Sequence, residues 1–298
     1  MLQPLKSGHD RLSLLAPAKI NLSLHVRGRL ADGYHALESL VAFADIGDWL
    51  DFEIASETRL TLSGPFDDGL ALDNNLVLKA HAALVTHIDH ALPCHIGLQK
   101  NLPVASGIGG GSADAAATLN GLNRLFDLRL APDVLSDIAA TLGADVPVCL
   151  APAPAWMSGI GHEVARLPSL PQADVVLVNP MQGVSTPQVF EALAASSELT
   201  PSQTVPAEFV NLASLIDFLN RQGNTLAAPA LELVPGIANC LMALTDAGAM
   251  FAAMSGSGAT CFALAPEGEG GAIAARYREY RSQDWVQAGR LLTADMGQ

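Results

Sequence analysis

The chain has 298 residues, with 16 Lys and Arg against 30 Asp and Glu, which gives a formal net charge of −14 at pH 7. This length suits one large domain or two modest ones, and the acidic balance argues against binding to nucleic acid or to an anionic membrane surface. Half of the residues are apolar and only 15% are charged, so long disordered segments are not expected.

The sequence also bears on the compartment. No apolar run approaches the roughly 18 residues that a membrane span needs, and the first residues, MLQPLKSGHDRL, lack the apolar stretch of a signal peptide. The four cysteines are widely spaced and form no CxxC pair, which fits reduced thiols better than disulfides or a zinc site. We therefore expect a cytoplasmic protein without membrane or nucleic-acid partners.

The distribution of positive charge limits how the chain could bind phosphates. Between Leu130 and Ala275 the only cationic residues are Arg166 and Arg221. A phosphate site in this protein would therefore depend on backbone N–H groups and a few chosen side chains.

The first third of the chain is predicted to form mainly strands. Ile20, Leu22, Leu24 and Val26 alternate with polar residues, the period of two that is typical of a half-buried strand. Asn75 is predicted to cap a helix that runs to about Ile88. Further strands are predicted at 37–46, 50–54, 59–64 and 95–99.

Clusters of strands and helices follow in the rest of the chain. Helices are predicted at 112–126, 132–143, 186–195, 209–221 and 237–247, and strands at 175–178, 250–254, 260–265 and 286–292, with one more helix between the last two strands. Residues 196–207 read as a polar linker, and the Pro/Ala-rich stretch at 151–155 predicts two domains, 1–153 and 154–298. Because the elements do not alternate regularly, the pattern favours an α+β fold.

The strongest motif is PVASGIGGGSADAAAT, at 103–118. Four glycines within five positions allow positive φ and close backbone approach to a ligand, and the loop opens directly into a predicted helix. The free N–H groups and positive dipole of that helix start suit a polyphosphate, and Ser112 can cap the helix or donate to a phosphate oxygen. A Walker A loop would need a lysine, and a dinucleotide fingerprint would need glycine at Ser112. A turn required only for packing is the remaining alternative.

Two charged residues have both an ordinary and a catalytic interpretation. Asp145 lies in GADVP, at 143–147, before a predicted short strand, and it is either a turn residue or a general base for a hydroxyl nucleophile. Lys19 begins the alternating strand, where it is either a solvated charge or one of the few available cations. Strand alternation places Asn21 on the same side as Lys19.

Two further motifs are open in the same way. The motif DGYH, at 32–35, allows two interpretations. Either Tyr34 covers an edge of the core and His35 faces solvent, or the Tyr34 ring stacks on a flat ligand and the His35 imidazole hydrogen-bonds the polar edge of that ligand. MSGSGAT, at 254–260, is either a hairpin turn or a loop that closes over a phosphate.

From Pro17 to about Leu264 the chain resembles the GHMP kinase superfamily. The resemblance rests on six segments that occur in this order: PAKINLSL, DGYH, PVASGIGGGSADAAAT, GADVP, GVSTPQVF and MSGSGAT. PAKINLSL followed by DGYH resembles the branch that phosphorylates the 2-hydroxyl of a cytidine diphosphate-linked methylerythritol, in non-mevalonate isoprenoid biosynthesis. The resemblance implies a two-domain α+β fold, with an N-terminal domain related to domain 2 of ribosomal protein S5 and a ferredoxin-like C-terminal sandwich. ATP and substrate would bind in the cleft between the domains.

The resemblance also implies roles for individual residues. Asp145 would take the proton from the reacting hydroxyl, and Lys19 would orient Asp145 and offset developing charge. The ATP-binding residues would be Pro103, Val104, Ala105, Ser106, Gly107, Ile108, Gly109, Gly110, Gly111, Ser112 and Ala113, with Asn75, Leu76 and Lys100 towards the nucleotide end. The substrate-binding residues would be Asn21 near the hydroxyl, His35 at the cytosine edge, Tyr34 and Phe190 on its faces, and Thr186 and Pro187 beside them. Mg²⁺ is expected with ATP.

Some positions depart from the superfamily pattern. Ser106 stands where alanine or glycine is usual, Ala113 where a second serine is common, and Thr225 where many members have aspartate. The tail beyond Glu267 carries no recognised motif. A homoserine or mevalonate type of kinase, and a non-catalytic ATP-dependent sensor, are the alternative functions. Neither kinase alternative needs Tyr34, His35 and Phe190, and a sensor could lose Lys19 or Asp145.

Overall fold

The structure is a computed structural model that describes residues 11–31, 33–68, 70–71, 73–193, 202 and 204–293. Five predictions extend beyond these ranges: the expected lack of a signal peptide in the first residues, Asp32 of the DGYH turn, the end of the helix at 194–195, most of the linker at 196–207 and the last residues of the tail. Those parts lie outside the described residues.

The N-terminal part is a mixed sheet covered by helices. Its strands are β1 (Arg11–Arg29), β2 (His35–Ile54), β3 (Arg59–Ser63), β4 (Cys94–Gln99), β5 (Ala155–Ser158) and β6 (Glu163–Arg166). Its helices are α1 (Leu76–Ile88), α2 (Gly110–Leu125), α3 (Pro132–Leu142) and the single turn α4 (Val146–Cys149). β2 pairs antiparallel with β1, β4 and β5, and β3 runs parallel to β4. The central helix α2 packs on β1 and β2 and closes one apolar core.

The C-terminal part is a second sheet with strand order β10-β7-β9-β8. These strands are β7 (Asp174–Asn179), β8 (Phe251–Met254), β9 (Cys261–Ala265) and β10 (Trp285–Leu292), all paired antiparallel. Its helices are α5 (Thr186–Ala192), α6 (Leu212–Gln222), α7 (Ala227–Leu233), α8 (Gly236–Asp246) and α9 (Gly270–Tyr280). The end of β10 pairs with β2 through Leu291 and Ala44, so the two sheets are hydrogen-bonded to each other.

A shared apolar core holds the two parts together. Ile20 and Leu22 of β1 lie in one cluster with Leu177 and Phe262 of the second sheet, and all four are buried. Because the side chains of a strand alternate, this packing turns Lys19 and Asn21 to the opposite face of β1, as predicted. The position of the catalytic candidates therefore depends on the contact between the two sheets.

Most predicted elements are present, and the α+β class is confirmed. α1 begins after Asn75, whose Oδ1 accepts the Val77 N–H at 2.9 Å, as expected of a cap. Three predictions were wrong in detail. Residues 37–54 form one continuous strand, α2 begins at Gly110 with Gly109 as its cap, and α4 replaces the short strand expected after Asp145. β5, β6 and α7 had no predicted counterpart.

The domain boundary after residue 153 stays a prediction. β5 and β6 lie beyond that boundary, yet β5 pairs with β2 of the N-terminal sheet. Among the described helices, no single one is long and apolar enough to cross a membrane, although the bent pair α7 and α8 passes together on length and composition.

Candidate active site

Lys19 and Asp145 form an ion pair beside the glycine-rich loop. Lys19 Nζ lies 2.7 Å from Asp145 Oδ2, with the lysine side chain 4% exposed and the aspartate side chain 41% exposed. The backbone N–H of Lys19 donates to the carbonyl of Ile108 at 2.9 Å. Lys19 is therefore not a solvated surface charge, and its partner keeps an open side towards solvent.

The local backbone explains how β1 presents these side chains. The pairing of β1 with β2 shifts register between Pro17 and Lys19 and again between Asn21 and Ser23. Such bulges re-aim side chains and are common next to active sites. Asp145 stands at the start of α4, and Pro147 within that turn favours its helical backbone.

The glycine-rich loop and the start of α2 line a cavity of about 420 Å³. Gly107 and Gly109 have φ of 77° and 63°, and Ala105 also has a positive φ of 51°. No acidic residue lies in the first turn of α2, so its free N–H groups and dipole face the cavity. Asp114 of the next turn also lines the cavity, paired with Lys100. This arrangement suits a bound anion with several oxygens.

Of the fourteen predicted ATP-binding residues, twelve line this cavity. They are Asn75, Leu76, Lys100, Pro103, Val104, Ala105, Ser106, Gly107, Gly109, Gly110, Gly111 and Ser112. Ile108 and Ala113 do not line it, because both side chains are buried in the apolar cores. Ser112 is the third residue of α2, so its hydroxyl is not the helix cap.

The second small-residue loop packs against the glycine-rich loop. Thr260 N–H donates to the carbonyl of Ser106 at 3.1 Å, and Ser255 Oγ donates to the carbonyl of Gly107 at 2.9 Å. A Cβ on Gly107 would lie 2.6 Å from the carbonyl oxygen of Gly258. The segment 254–260 thus supports the back of the glycine-rich loop, and no side chain fits at Gly107.

Sequence reasoning missed the residue that holds this second loop. Asn224 Nδ2 donates to the carbonyls of Met254 and Gly256, at 3.0 and 2.8 Å. The neighbouring Thr225 Oγ1 donates to the carbonyl of Leu24 at 3.2 Å. Thr225 therefore attaches this segment to β1 through its hydroxyl and also through its backbone N–H, which donates to the same carbonyl at 2.8 Å.

A larger cavity, of about 810 Å³, lies between the β1–β2 turn and α5. The predicted substrate residues Tyr34, His35, Thr186, Pro187 and Phe190 all line it. The rings of His35 and Phe190 have centroids 4.9 Å apart and are tilted by 32°, while Tyr34 is 62% exposed.

The charge state of His35 follows from its surroundings. Burial, and then the nearby Arg29, lower the pKa of His35 below its ordinary value. A neutral imidazole offers one hydrogen-bond donor and one acceptor, which suits the polar edge of a base. Arg29, which sequence reasoning did not single out, also lines this cavity.

Asn21 and Thr186 link this region to the rest of the site. Asn21 does not line the larger cavity, and its Nδ2 donates to Ser39 Oγ at 2.7 Å. The hydroxyls of Thr186 and Ser257 are hydrogen-bonded at 2.7 Å, which connects α5 to the loop behind the glycines. Thr186 of the larger cavity, and the backbone N–H of Asn21 through Ser255 Oγ, are therefore both hydrogen-bonded to the loop that supports the glycines.

A buried charge cluster lies under the glycine-rich loop. Lys100 Nζ donates to Asp48 Oδ2 and to Asp114 Oδ2, and the three side chains are at most 5% exposed. Nζ lies 3.2 Å from where a Cβ of Gly110 would be, so this ammonium is next to the start of α2. Burial raises the pKa of Asp114 to about 7 even though Lys100 opposes the shift.

Two protein-family models match this chain. The GHMP kinases N terminal domain matches residues 75–152, and GHMP kinases C terminal matches residues 207–283. A 4-diphosphocytidyl-2-C-methyl-D-erythritol kinase of Rhizobium etli (strain CIAT 652) is 47% identical over 94% of this chain and 95% of the relative.

Two solved structures, one at 32% and one at 19% sequence identity, share the fold of this chain. A 4-(cytidine 5'-diphospho)-2C-methyl-D-erythritol kinase superposes with a TM-score of 0.76 at 32% identity, covering 94% of this chain and 99% of that one. A homoserine kinase from Cytophaga hutchinsonii superposes with a TM-score of 0.68 at 19% identity, covering 98% of each chain. The second similarity is one of fold alone.

Proposed function

The chain belongs to the 4-diphosphocytidyl-2-C-methyl-D-erythritol kinase family of GHMP kinases, and from this premise we propose the reaction that it catalyses. It transfers the γ-phosphoryl group of ATP to the 2-hydroxyl of 4-diphosphocytidyl-2-C-methyl-D-erythritol, a step of non-mevalonate isoprenoid biosynthesis. The Lys19–Asp145 ion pair beside the glycine-lined cavity carries this proposal.

ATP is assigned to the 420 Å³ cavity. Its phosphates would lie against Gly109 to Ser112, where the loop and the first turn of α2 offer backbone N–H groups. Asn75 and Leu76, which line the same cavity at the start of α1, would contact the nucleotide end. The resemblance implied that Lys100 also contacts the nucleotide end, but its ammonium lies near Gly110 at the start of α2, so we assign it instead to the phosphate end of the cavity.

Asp145 is assigned as the general base and Lys19 as its partner. The substrate oxygen forms a bond to the γ-phosphorus, the bond to the β–γ bridging oxygen breaks, ADP leaves, and the hydroxyl proton goes to Asp145. Phosphoryl transfer depends mainly on positioning and charge stabilisation. Lys19, held by Asp145 and by the Ile108 carbonyl, orients the carboxylate and stabilises charge on the reacting oxygens.

Mg²⁺ is proposed only as part of Mg-ATP. Among the described residues, no group of three or more His, Cys, Asp or Glu side chains is placed to hold a metal ion. We therefore propose that the Mg²⁺ ion would be held mainly by phosphate oxygens and water, as is usual for Mg²⁺ in kinases. When bound, the ion would neutralise much of the phosphate charge that this lysine-poor chain leaves uncompensated.

The cytidine end of the substrate is assigned to the 810 Å³ cavity. The aromatic faces of Tyr34 and Phe190 suit a pyrimidine, and the neutral His35 can bond its edge. Asn21, beside Lys19 on β1, is assigned to the methylerythritol end. Homoserine and mevalonate carry no base to place between aromatic rings, so this cavity favours the cytidine-containing substrate. A cytoplasmic location remains a prediction.

A substrate panel tests the proposal. Purified protein is given Mg-ATP with 4-diphosphocytidyl-2-C-methyl-D-erythritol, homoserine or mevalonate, and ADP release is followed. We expect turnover only with the cytidine-containing alcohol. Turnover with homoserine or mevalonate instead would contradict the substrate, and ATP binding without turnover of any alcohol would support a sensor.

A further inference from the structure

Asp48 lies at the point where β2, β4 and the glycine-rich loop meet. The residue is 0% exposed. Its Oδ2 accepts from Lys100 Nζ, and its Oδ1 accepts the backbone N–H groups of Asn101 and Leu102, at 2.6 and 2.9 Å. One carboxylate thus accepts three donors from three consecutive residues.

Those three residues connect β4 to the first residue of the glycine-rich loop, Pro103. Asn101 Nδ2 also donates a hydrogen bond to the carbonyl of Gly47, at 3.2 Å. Residues 100–102 are therefore bonded to two adjacent residues of β2, Gly47 and Asp48. On the other side, Lys100 N–H donates to the carbonyl of Ser63 on β3, at 2.7 Å. The start of the loop is therefore bonded to both neighbouring strands.

The donors around Asp48 require a carboxylate. Its two oxygens face three N–H donors, and an isosteric amide has only one acceptor atom. In either orientation, an asparagine at this position would direct its NH₂ group at another donor. A buried donor left without an acceptor is destabilising, because it has given up its hydrogen bonds to water and gains none in the folded protein.

Asp114 differs from Asp48 although both contact the same ammonium. Asp114 Oδ2 accepts from Lys100 Nζ at 2.7 Å, but its Oδ1 is buried without a partner. Asparagine at position 114 can therefore keep the bond to Lys100 through its oxygen. In binding measurements at about pH 8.5, above the pKa of about 7 to which burial raises Asp114, both aspartates carry a negative charge near the proposed phosphates. At that pH an asparagine at either position makes the same charge change.

We propose that Asp48 is a positioning residue for the nucleotide site: it holds residues 100–102, and with them the Lys100 ammonium and the start of the glycine-rich loop, in the geometry that receives the phosphates. The inference rests on the proposed function, since that function assigns ATP to this cavity. Asp48 acts through the loop and does not touch the nucleotide.

The paired variants Asp48→Asn and Asp114→Asn test the proposal. The dissociation constant of a non-hydrolysable ATP analogue with Mg²⁺ is measured by calorimetry for each variant. We expect Asp48→Asn to raise it at least tenfold, and Asp114→Asn to lower it because a negative charge is removed with the hydrogen bond kept. A change of less than tenfold for Asp48→Asn, or an equal change in both variants, would overturn the proposal.

A matched control separates positioning from general loss of stability. Asp174 is also buried, and its Oδ2 accepts the N–H groups of Gly268 and Gly270 at the start of α9. Asp174→Asn removes a negative charge at the start of α9, so it is expected to lower the melting temperature while the dissociation constant stays within threefold. In turnover assays, Asp48→Asn should raise KM for ATP more than KM for the cytidine-containing alcohol, and equal increases would indicate a structural role only.

Amide hydrogen exchange on the unaltered protein gives an independent test that needs no folded variant. Without nucleotide, the amides of Asn101 and Leu102 should already exchange at least 100-fold more slowly than an unstructured chain. Unprotected amides there would overturn the preorganised geometry. Because binding and exchange do not depend on turnover, failure of the substrate assignment would leave both tests decisive.

Discussion

Lys19 and Asp145 are 126 positions apart in the chain, yet their Nζ and Oδ2 atoms lie 2.7 Å from each other. β1 supplies the lysine and the turn before α4 supplies the carboxylate, with α2 packed against both elements. The lysine is buried, whereas the carboxylate keeps an exposed side that a substrate can reach.

The first prediction concerns the base. Asp145→Asn is expected to lower kcat by about 10²–10⁴-fold, because a general base contributes that much to the rate. Nucleotide binding should change little, since the glycine-rich loop is intact. Steady-state kinetics and calorimetry measure the two effects. Asp133→Asn, on the exposed start of α3, is the matched control. A near-normal kcat for Asp145→Asn would mean that the hydroxyl needs no protein base.

The second prediction concerns the aromatic cavity. Phe190→Ala is expected to raise KM for the cytidine-containing alcohol about fivefold or more, because stacking of a base on an aromatic ring contributes about 1–3 kcal/mol. KM for ATP should stay within twofold. Tyr280→Ala, on the exposed end of α9, controls for loss of a ring elsewhere. Equal effects on both substrates would remove Phe190 from the base site.

The third prediction concerns the contact between the two loops. Gly107→Ala is expected to destabilise the protein by at least about 2 kcal/mol, because φ is 77° and the new Cβ would meet the Gly258 carbonyl. It should also weaken nucleotide binding, since the loop must shift. Urea unfolding and calorimetry measure the two effects.

Gly271→Ala provides the comparison for that variant. Gly271 lies within α9, and a Cβ there would meet nothing within 4 Å. This change should be neutral or stabilise by about 0.5–1 kcal/mol. If the two alanine variants were equally stable, the close contact at Gly107 would not constrain the loop.

The fourth prediction concerns pH. The pKa of Asp114 is raised to about 7 in the folded protein by burial, from an ordinary value of 3.8. Between these values the folded state binds more protons than the unfolded state, so this group's contribution to stability falls as pH rises from about 4 to 7.

Asp114→Asn should remove that fall. The free energy of unfolding of the variant, relative to the unaltered protein, is therefore expected to rise by about 1–4 kcal/mol between pH 5 and pH 8. Urea unfolding at both pH values measures it. Parallel pH dependence in the two proteins would contradict the raised pKa of Asp114.

The sequence predicted most elements because their signals are local. Asn75 caps α1 with its own side chain, and Pro132 begins α3 as predicted. The predicted start of α2 was two residues too late. The prediction looked for a capping side chain at Ser112, whereas the cap is Gly109, which has a positive φ and no side chain. β5 was missed because its pairing partner, β2, lies more than a hundred residues away.

The residues that support the site carried weaker signals. Asp48 is one of three aspartates in the long strand β2, and its role depends on three donors that follow it by 52 to 54 positions. Asn224 was not singled out although its neighbour Thr225 was, and its two carbonyl partners lie 30 and 32 positions away. No spacing rule relates such residues before the strands are placed.

The sequence by itself determined the α+β class, the loop suited to phosphates and the scarcity of cations, because glycine spacing, alternation and charge are properties of neighbouring residues. Only the tertiary structure decided that Lys19 is buried and paired with Asp145, that the two small-residue loops contact each other, and that Lys100 lies between two carboxylates. In this acidic chain, the buried Lys19 and Lys100 and the start of α2 are the positive groups that lie beside the proposed phosphate site. Which groups meet there depends on burial and long-range packing, which no local pattern contains.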